Sequence, residues 1–169
     1  ESLEYQTAIS DVLKVMSRST FDLEPVLQTV LETANRLCRA KMASIFQLED
    51  GAFRWRVGYG LHPEYQQAEA STPILPGPGT LVGRVALAGK AVRVEDAQAD
   101  YMPQADARIQ NVRSMLGVPM MRDGRLFGVI ALARDRVESF SDKQVELVTV
   151  FADQAVIAIE NVRLINEIR

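Results

Sequence analysis

"SMLGVPMMRDGRLFGVIALAR", Ser114 to Arg134, decides the fold. Two apolar runs, 114–121 and 126–134, flank the polar "RDGR" at 122–125. Asp123-Gly124 suits a two-residue type I′ turn, which joins antiparallel strands. In 126–132 both alternating sets are apolar, so this strand should be central and covered on both faces.

A second hairpin lies upstream. Residues 42–49 read as a strand and "EDG" at 49–51 as a tight turn. Phe53, Trp55, Val57, Tyr59 and Leu61 then alternate with Arg54, Arg56, Gly58 and Gly60, a half-buried strand. Between the hairpins we expect a short helix at 63–69, a short strand at 71–75 and a helix from the cap Thr80 to Ala88. Gly89 stops that helix, and a strand follows at 91–94. Residues 95–113 are polar and irregular, with some helix around 104–111. The segment exceeds an ordinary connector, and such loops are often functional.

Helical periodicity marks both ends. Residues 2–18 place Ile9, Val12, Leu13 and Met16 on one face. Asp22 caps a helix over 23–40, with Pro25 in its first turn and Val26, Leu27, Val30, Leu31, Ala34, Leu37 and Cys38 as its stripe. Ser141 and Gln144 form a capping box for a last helix that runs to the chain end. That helix carries two apolar stripes. One is Val145, Val148, Ala152, Ala155, Ile159 and Val162; the other is Leu147, Phe151, Ala158, Ile165 and Ile168. One stripe can cover a sheet, and the second needs another partner. With strands in the middle and helices at the ends, the class is α+β with an antiparallel sheet.

Composition narrows the function. The chain has 169 residues, 47% hydrophobic and 24% charged, with net charge −3 and a pI near 5.3. No basic face supports nucleic-acid binding. No apolar run is long enough to span a bilayer. The lone Cys38 permits no internal disulfide and fits a reducing, cytoplasmic setting. The chain starts without Met and ends inside a helical pattern, so we expect a piece of a longer protein.

Catalytic motifs fail on spacing. The glycine-rich "PGPGTLVGRVALAGKAVRVEDA" (76–97) suggests a phosphate loop, but Arg84 stands where a P-loop needs glycine. Ala91 follows Lys90 where Ser or Thr is required, and Val82 breaks the dinucleotide fingerprint. These glycines instead shape a turn (Gly77, Gly79), admit close helix packing (Gly83) and end a helix (Gly89). Cys38 sits on an apolar stripe and reads as core rather than nucleophile. His62 reads as a solvent-exposed residue after a strand rather than a haem or metal ligand. Glu95, Asp96 and Asp100 read as turn caps. Met102, Met115, Met120, Met121, Trp55, Tyr59 and Tyr101 could line a soft apolar cavity or be ordinary core.

Four pieces in this order resemble a GAF domain, the ligand-binding and dimerising sensor module of many signalling proteins. They are "ASIFQLEDG", "GTLVGRVALAGKAVRVED", "MLGVPMMRDGRLFGVIALAR" and "FSDKQVELVTVFADQAVIAIENVRL". The last helix is most similar in tone to GAF modules of bacterial sensor histidine kinases and nucleotide cyclases. The resemblance implies a sheet of about six strands, with terminal helices on one face and a loop-roofed pocket on the other. It divides the chain into a signalling helix (1–20), the GAF domain (21–160) and the start of a second signalling helix (161–169).

The implied pocket would draw on Trp55, Val57, Tyr59, Leu81, Val82, Val85, Tyr101, Met102, Ile109, Met115 and Gly117. The implied homodimer would pair Ile9, Val12, Met16, Val148, Ala152, Ala155, Ile159 and Val162 with their mates. Subtypes of the family are tested by their motifs. Cyclic-nucleotide binders carry Asn-Lys after the central strand and then Phe, three residues and Asp-Glu. Here Phe140 is present, but Arg134-Asp135 and Gln144-Val145 replace the pairs. Bilin binders need a cysteine near the pocket, whereas Cys38 lies in an early helix. The sulfoxide reductases on this fold use several cysteines. The expectation is a non-catalytic sensor with no bilin, haem or cyclic nucleotide, its ligand a small molecule or a partner surface. The rivals are an enzyme on the same fold and a structural dimerisation module without a ligand.

Overall fold

A computed structural model of the chain describes residues 4–11, 22–100 and 111–168. In order these are helix α1 (4–11), α2 (Leu23–Leu37), β1 (Met42–Glu49), β2 (Ala52–Tyr59), α3 (Pro63–Ser71), α4 (Leu81–Ala88), β3 (Val92–Val94), β4 (Met115–Arg122), β5 (Arg125–Ala133) and α5 (Asp142–Ile168). The strands form one antiparallel sheet in the order β2-β1-β5-β4-β3. Among the described residues the sheet has five strands, where about six are expected. The expected strand at 71–75 shrinks to a single bridge between Ile74 and Phe53, because Pro73 and Pro76 flank it and each lacks an N–H for a ladder.

Local chemistry sets the turns and caps. Asp123 (φ 53°) and Gly124 (φ 76°) close the β4–β5 hairpin, and Asp50 (φ 52°) and Gly51 (φ 81°) close β1–β2. Both pairs have the two positive φ angles of a type I′ turn. The Asp22 carboxylate accepts from Glu24 N–H at the start of α2. The Thr80 hydroxyl accepts from Gly83 N–H at the start of α4. At α5 the Ser141 N–H donates to Gln144 Oε1 (2.9 Å), and the Gln144 N–H donates to Ser141 Oγ (3.1 Å).

α2 and α5 cover one face of the sheet. Ile45, Leu116, Val118, Ile130 and Leu132 pack there against Leu27, Leu31, Val148, Phe151 and Ala155. Ala8 of α1 joins the same core. α3 and α4 cover the other face, where Val82 and Val85 meet Phe46, Phe53 and Val129. β5 is central and buried on both faces, as its unbroken apolar run requires.

α5 shows why it carries two apolar stripes. Val148, Ala152, Ala155 and Ile159 are at most 5% exposed, and Leu147, Phe151 and Ala158 are also buried. These members of both stripes are consumed inside one chain, because α5 lies against both the sheet and α2. The four residues assigned to a dimer seam are therefore core. Val162 is half-buried, and Ile9 is half-buried against the core. Val12 and Met16 lie outside the described residues. The apolar groups α5 does expose are Val150 (37%) and Leu164 (48%).

Candidate functional site

Between α3, α4 and the bare middle of the sheet lies a cavity of about 40 Å³. Its floor is Met42 and Ser44 of β1, Met115 of β4, and Ala131 and Ala133 of β5. These are alternate residues of strands whose other set faces α2 and α5. The walls are Leu61, Tyr65 and Glu69 on one side and Ile74, Thr80, Leu81 and Val82 on the other. Small floor residues create the space: Ala131 and Ala133 stand where a branched side chain would reach the helices. The volume holds about two or three waters, or a ligand group of that size. The lining is mainly apolar, with the Ser44 and Thr80 hydroxyls and the Glu69 carboxyl as its polar points.

Of the expected pocket residues, Leu81, Val82 and Met115 line this cavity. Trp55 stands beside it: its indole packs over Gly58, and Nε1–H donates to Ser44 Oγ at 3.2 Å. Val85 and Gly117 do not line it. A Cβ at Gly117 would sit 2.6 Å from Val85 Cγ2 and 3.1 Å from Leu81 Cγ. Gly117 is therefore the seat of α4, not a ligand floor.

Val57 and Tyr59 are on the wrong face, for a physical reason. The β1–β2 register shifts between Ile45 and Phe46, so Trp55 pairs with Phe46 while Val57 pairs with Ile45. This bulge inserts one residue and inverts the alternation. Phe53 and Trp55 face α4, whereas Val57 joins the α2–α5 core and Tyr59 is 45% exposed beside Thr29 and Arg36. Tyr101, Met102 and Ile109 lie outside the described residues. The missed wall residues are Leu61, Tyr65, Glu69, Ile74 and Thr80, and the missed floor residues, Met42, Ser44, Ala131 and Ala133, are the period-two set of β1 and β5. Their signal was in the alternation, but nothing in the sequence said which set faced the helices.

The segment 95–113 is stapled at its base. Arg113 donates from Nε to Asp96 Oδ1 (2.9 Å) and from Nη2 to Asp96 Oδ2 (2.8 Å). Ala97 N–H donates to the Arg113 carbonyl (2.7 Å), and Gln98 Nε2 to Asn111 Oδ1. The Arg113 guanidinium holds the Asp96 carboxyl below its usual range. α4 reaches the same segment through Arg84, whose Nη2 donates to Asp100 Oδ1 at 2.6 Å.

This base is wired to the helical face. Buried Ser114 donates Oγ–H to the Glu95 carbonyl and accepts from Glu138 N–H. Buried Arg134, at the end of β5, donates to the carbonyls of Glu138 and Ser139 and to that of Cys38 at the end of α2. It also stacks on Phe140, 4.0 Å from the ring centroid. Arg93 of β3 donates to the Phe140 carbonyl and to Asp142 at the start of α5. Segment 134–142 thus gathers the loop base, the sheet and both long helices.

Reactive groups stand elsewhere. Cys38 is fully buried on the helical face, and burial pushes its thiol up to about 12, with Arg134 opposing only in part. His62 is exposed and caps α3 by accepting from Glu64 N–H at Nδ1. Among the described residues no group of three His, Cys, Asp or Glu is placed to hold a metal ion, and no helix is long and apolar enough to cross a membrane.

A sheet backed by long helices, with a second layer enclosing a small cavity, defines an α+β domain with an antiparallel sheet. The family profile for the GAF domain matches residues 21–160, and the chain belongs to that family. Solved structures agree on the fold. The GAF domain of a phosphoenolpyruvate-protein phosphotransferase from Coxiella burnetii is 16% identical, with TM-score 0.79 and 99% of each chain covered. A domain of a putative two-component sensor histidine kinase from Sinorhizobium meliloti 1021 is 20% identical, with TM-score 0.68, covering 84% of this chain and 93% of that one. The free methionine-R-sulfoxide reductase from Neisseria meningitidis, solved with its substrate, is 20% identical, with TM-score 0.75, covering 95% and 90%. No curated protein matches the sequence. GAF domains are mostly sensory modules, and this fold occurs in signalling proteins such as that sensor kinase.

Proposed function

We propose that this domain is a non-catalytic sensory module of a larger bacterial signalling protein, of sensor histidine kinase type, working in the cytoplasm. A small molecule, or a partner's side chain, enters the cavity under α4. The observation that carries this reading is the cavity itself: alternate small and soft residues (Met42, Ser44, Met115, Ala131, Ala133) form an apolar floor with few polar points. Occupancy favours one placement of α4 and of the stapled stretches 95–100 and 111–113. Ser114 and Arg134 pass that placement to the ends of α2 and α5. Such coupling is a differential affinity for two states, typically about 1–3 kcal/mol.

The output is a homodimer built on α5. Its own core takes Val148, Ala152, Ala155 and Ile159, so the seam falls on the opposite face, at Val150, Ile157 and Leu164, seven residues apart. The burial and raised pKa of Cys38 weigh against thiol chemistry of the sulfoxide reductase kind. The small volume favours one alternative, a structural dimerisation module whose cavity keeps only water. Native mass spectrometry of the protein as purified, with a thermal-shift screen of small neutral and amphipathic compounds, separates the two. A retained or stabilising compound supports the sensor. A flat screen with no retained mass supports the structural module.

A further inference from the structure

Three arginines gather on the other side of the sheet from the cavity. A cleft of about 340 Å³ is lined by Arg36 and Leu37 of α2, Arg39 just past it, Glu4 and Tyr5 of α1, and Arg134, Glu138 and Gln144 around the start of α5. Arg36, in the last turn of α2, and Arg39, just past its cap, both line the cleft. Among the described residues neither guanidinium has an ion pair.

The third guanidinium supplies an independent observation. Arg134 is 2% exposed, and its Nε–H meets no acceptor. Buried donors are almost always paired; this one lacks an acceptor among the described residues, and Arg134 itself lines the cleft. The positive charges of Arg39 and Arg136 both bear on Arg134. Two carboxylates oppose an anion here. Glu138 is already engaged by Arg136 (3.2 Å) and Arg134 (3.9 Å). Glu4, exposed on α1, is the remaining negative group.

We infer that this cleft is a regulatory site for a small oxyanion, a phosphate or carboxylate, held by Arg36 and Arg39 against Arg134. Planar guanidinium forks match the oxygen pairs of such groups. The bound anion clips α1 to the end of α2 and the start of α5. The site is separate from the cavity under α4, so it stands or falls independently of the sensor reading.

The test is calorimetric titration of the protein with inorganic phosphate, and separately with malonate, at ionic strength fixed with chloride. Saturable binding of either is expected. Arg36→Gln and Arg39→Gln should each weaken it by about tenfold or more, the equivalent of about 1.4 kcal/mol. Both side chains project from the surface, so the variants should fold. Glu4→Gln should tighten binding severalfold by removing repulsion. Arg125→Gln, which removes the same charge outside the cleft, should leave it unchanged. Absence of saturable binding by either anion overturns the proposal, as does an Arg125→Gln loss equal to that of Arg39→Gln. Weakened binding in Glu4→Gln also overturns it, because it would mark a cationic or zwitterionic ligand.

Discussion

The Arg134 guanidinium donates to the carbonyl oxygen of Cys38 at 2.6 Å, joining residues 96 positions apart in the chain. That bond ties the end of the central strand to the end of α2. The same side chain holds the Glu138 and Ser139 carbonyls ahead of α5. Replacing it leaves the buried Cys38 carbonyl without this donor, which costs more than the bond was worth.

Arg134→Gln should therefore destabilise the fold by about 2–5 kcal/mol in urea denaturation. Arg134→Lys should recover only part of this, since a point charge lacks the planar fork. A loss below about 1 kcal/mol for the glutamine variant would remove Arg134 as the structural junction.

Cys38 should resist a thiol reagent at pH 8 until the protein unfolds, because its thiol stays protonated up to about 12. The linkage has a definite sign. The unfolded thiol ionises from about 9.0 upward while the folded one does not, so the native state holds the extra proton. This group's contribution to stability is intact below pH 9 and is lost as pH rises from 9 toward 12. Comparing urea midpoints of wild type and Cys38→Ala across that range checks it. The wild-type midpoint should fall more steeply.

The two faces of α5 should respond differently. Ala152→Leu overpacks a fully buried site and should cost about 1–3 kcal/mol in the monomer. Leu164→Glu, at an exposed position, should leave the melting temperature of the dilute protein within a few degrees. If α5 forms the dimer seam, that variant should sediment as a monomer at concentrations where wild type associates.

Asp96→Asn should loosen the base of segment 95–113. Hydrogen exchange at the Ala97 amide, which donates to the Arg113 carbonyl, reports it and should accelerate. Acid should do the same. The Asp96 carboxyl is held below its usual 3.8 by Arg113, so its contribution is present above that value and is lost as pH falls below it. Unchanged Ala97 exchange in the asparagine variant would contradict the staple.

Much of the fold was legible because local chemistry announced it. Asp50-Gly51 and Asp123-Gly124 fixed both hairpins, and Thr80, Gly89 and the Ser141–Gln144 box fixed helix ends. The site was half legible. Leu81, Val82 and Met115 follow from helix and strand position. Val57 and Tyr59 did not, because a bulge opposite Ile45–Phe46 inverts the alternation without any sequence signature. Both stripes of α5 read as surfaces seeking partners. That one chain supplies both, the sheet and α2, is a tertiary fact that helical periodicity does not carry. Arg134 read only as a departure from a motif, since its burial depends on carbonyls distant in sequence.

The central claim is that the space under α4 is a ligand site. Methyl NMR of Met42 and Met115, recorded while titrating compounds from the thermal-shift screen, addresses it directly, with Ala133→Phe as the variant that fills the space. We predict that at least one compound shifts both methyl signals saturably, and that the filled variant, still folded, loses the response. If no compound moves Met42 or Met115, or if Ala133→Phe responds as wild type does, the cavity is not a ligand site.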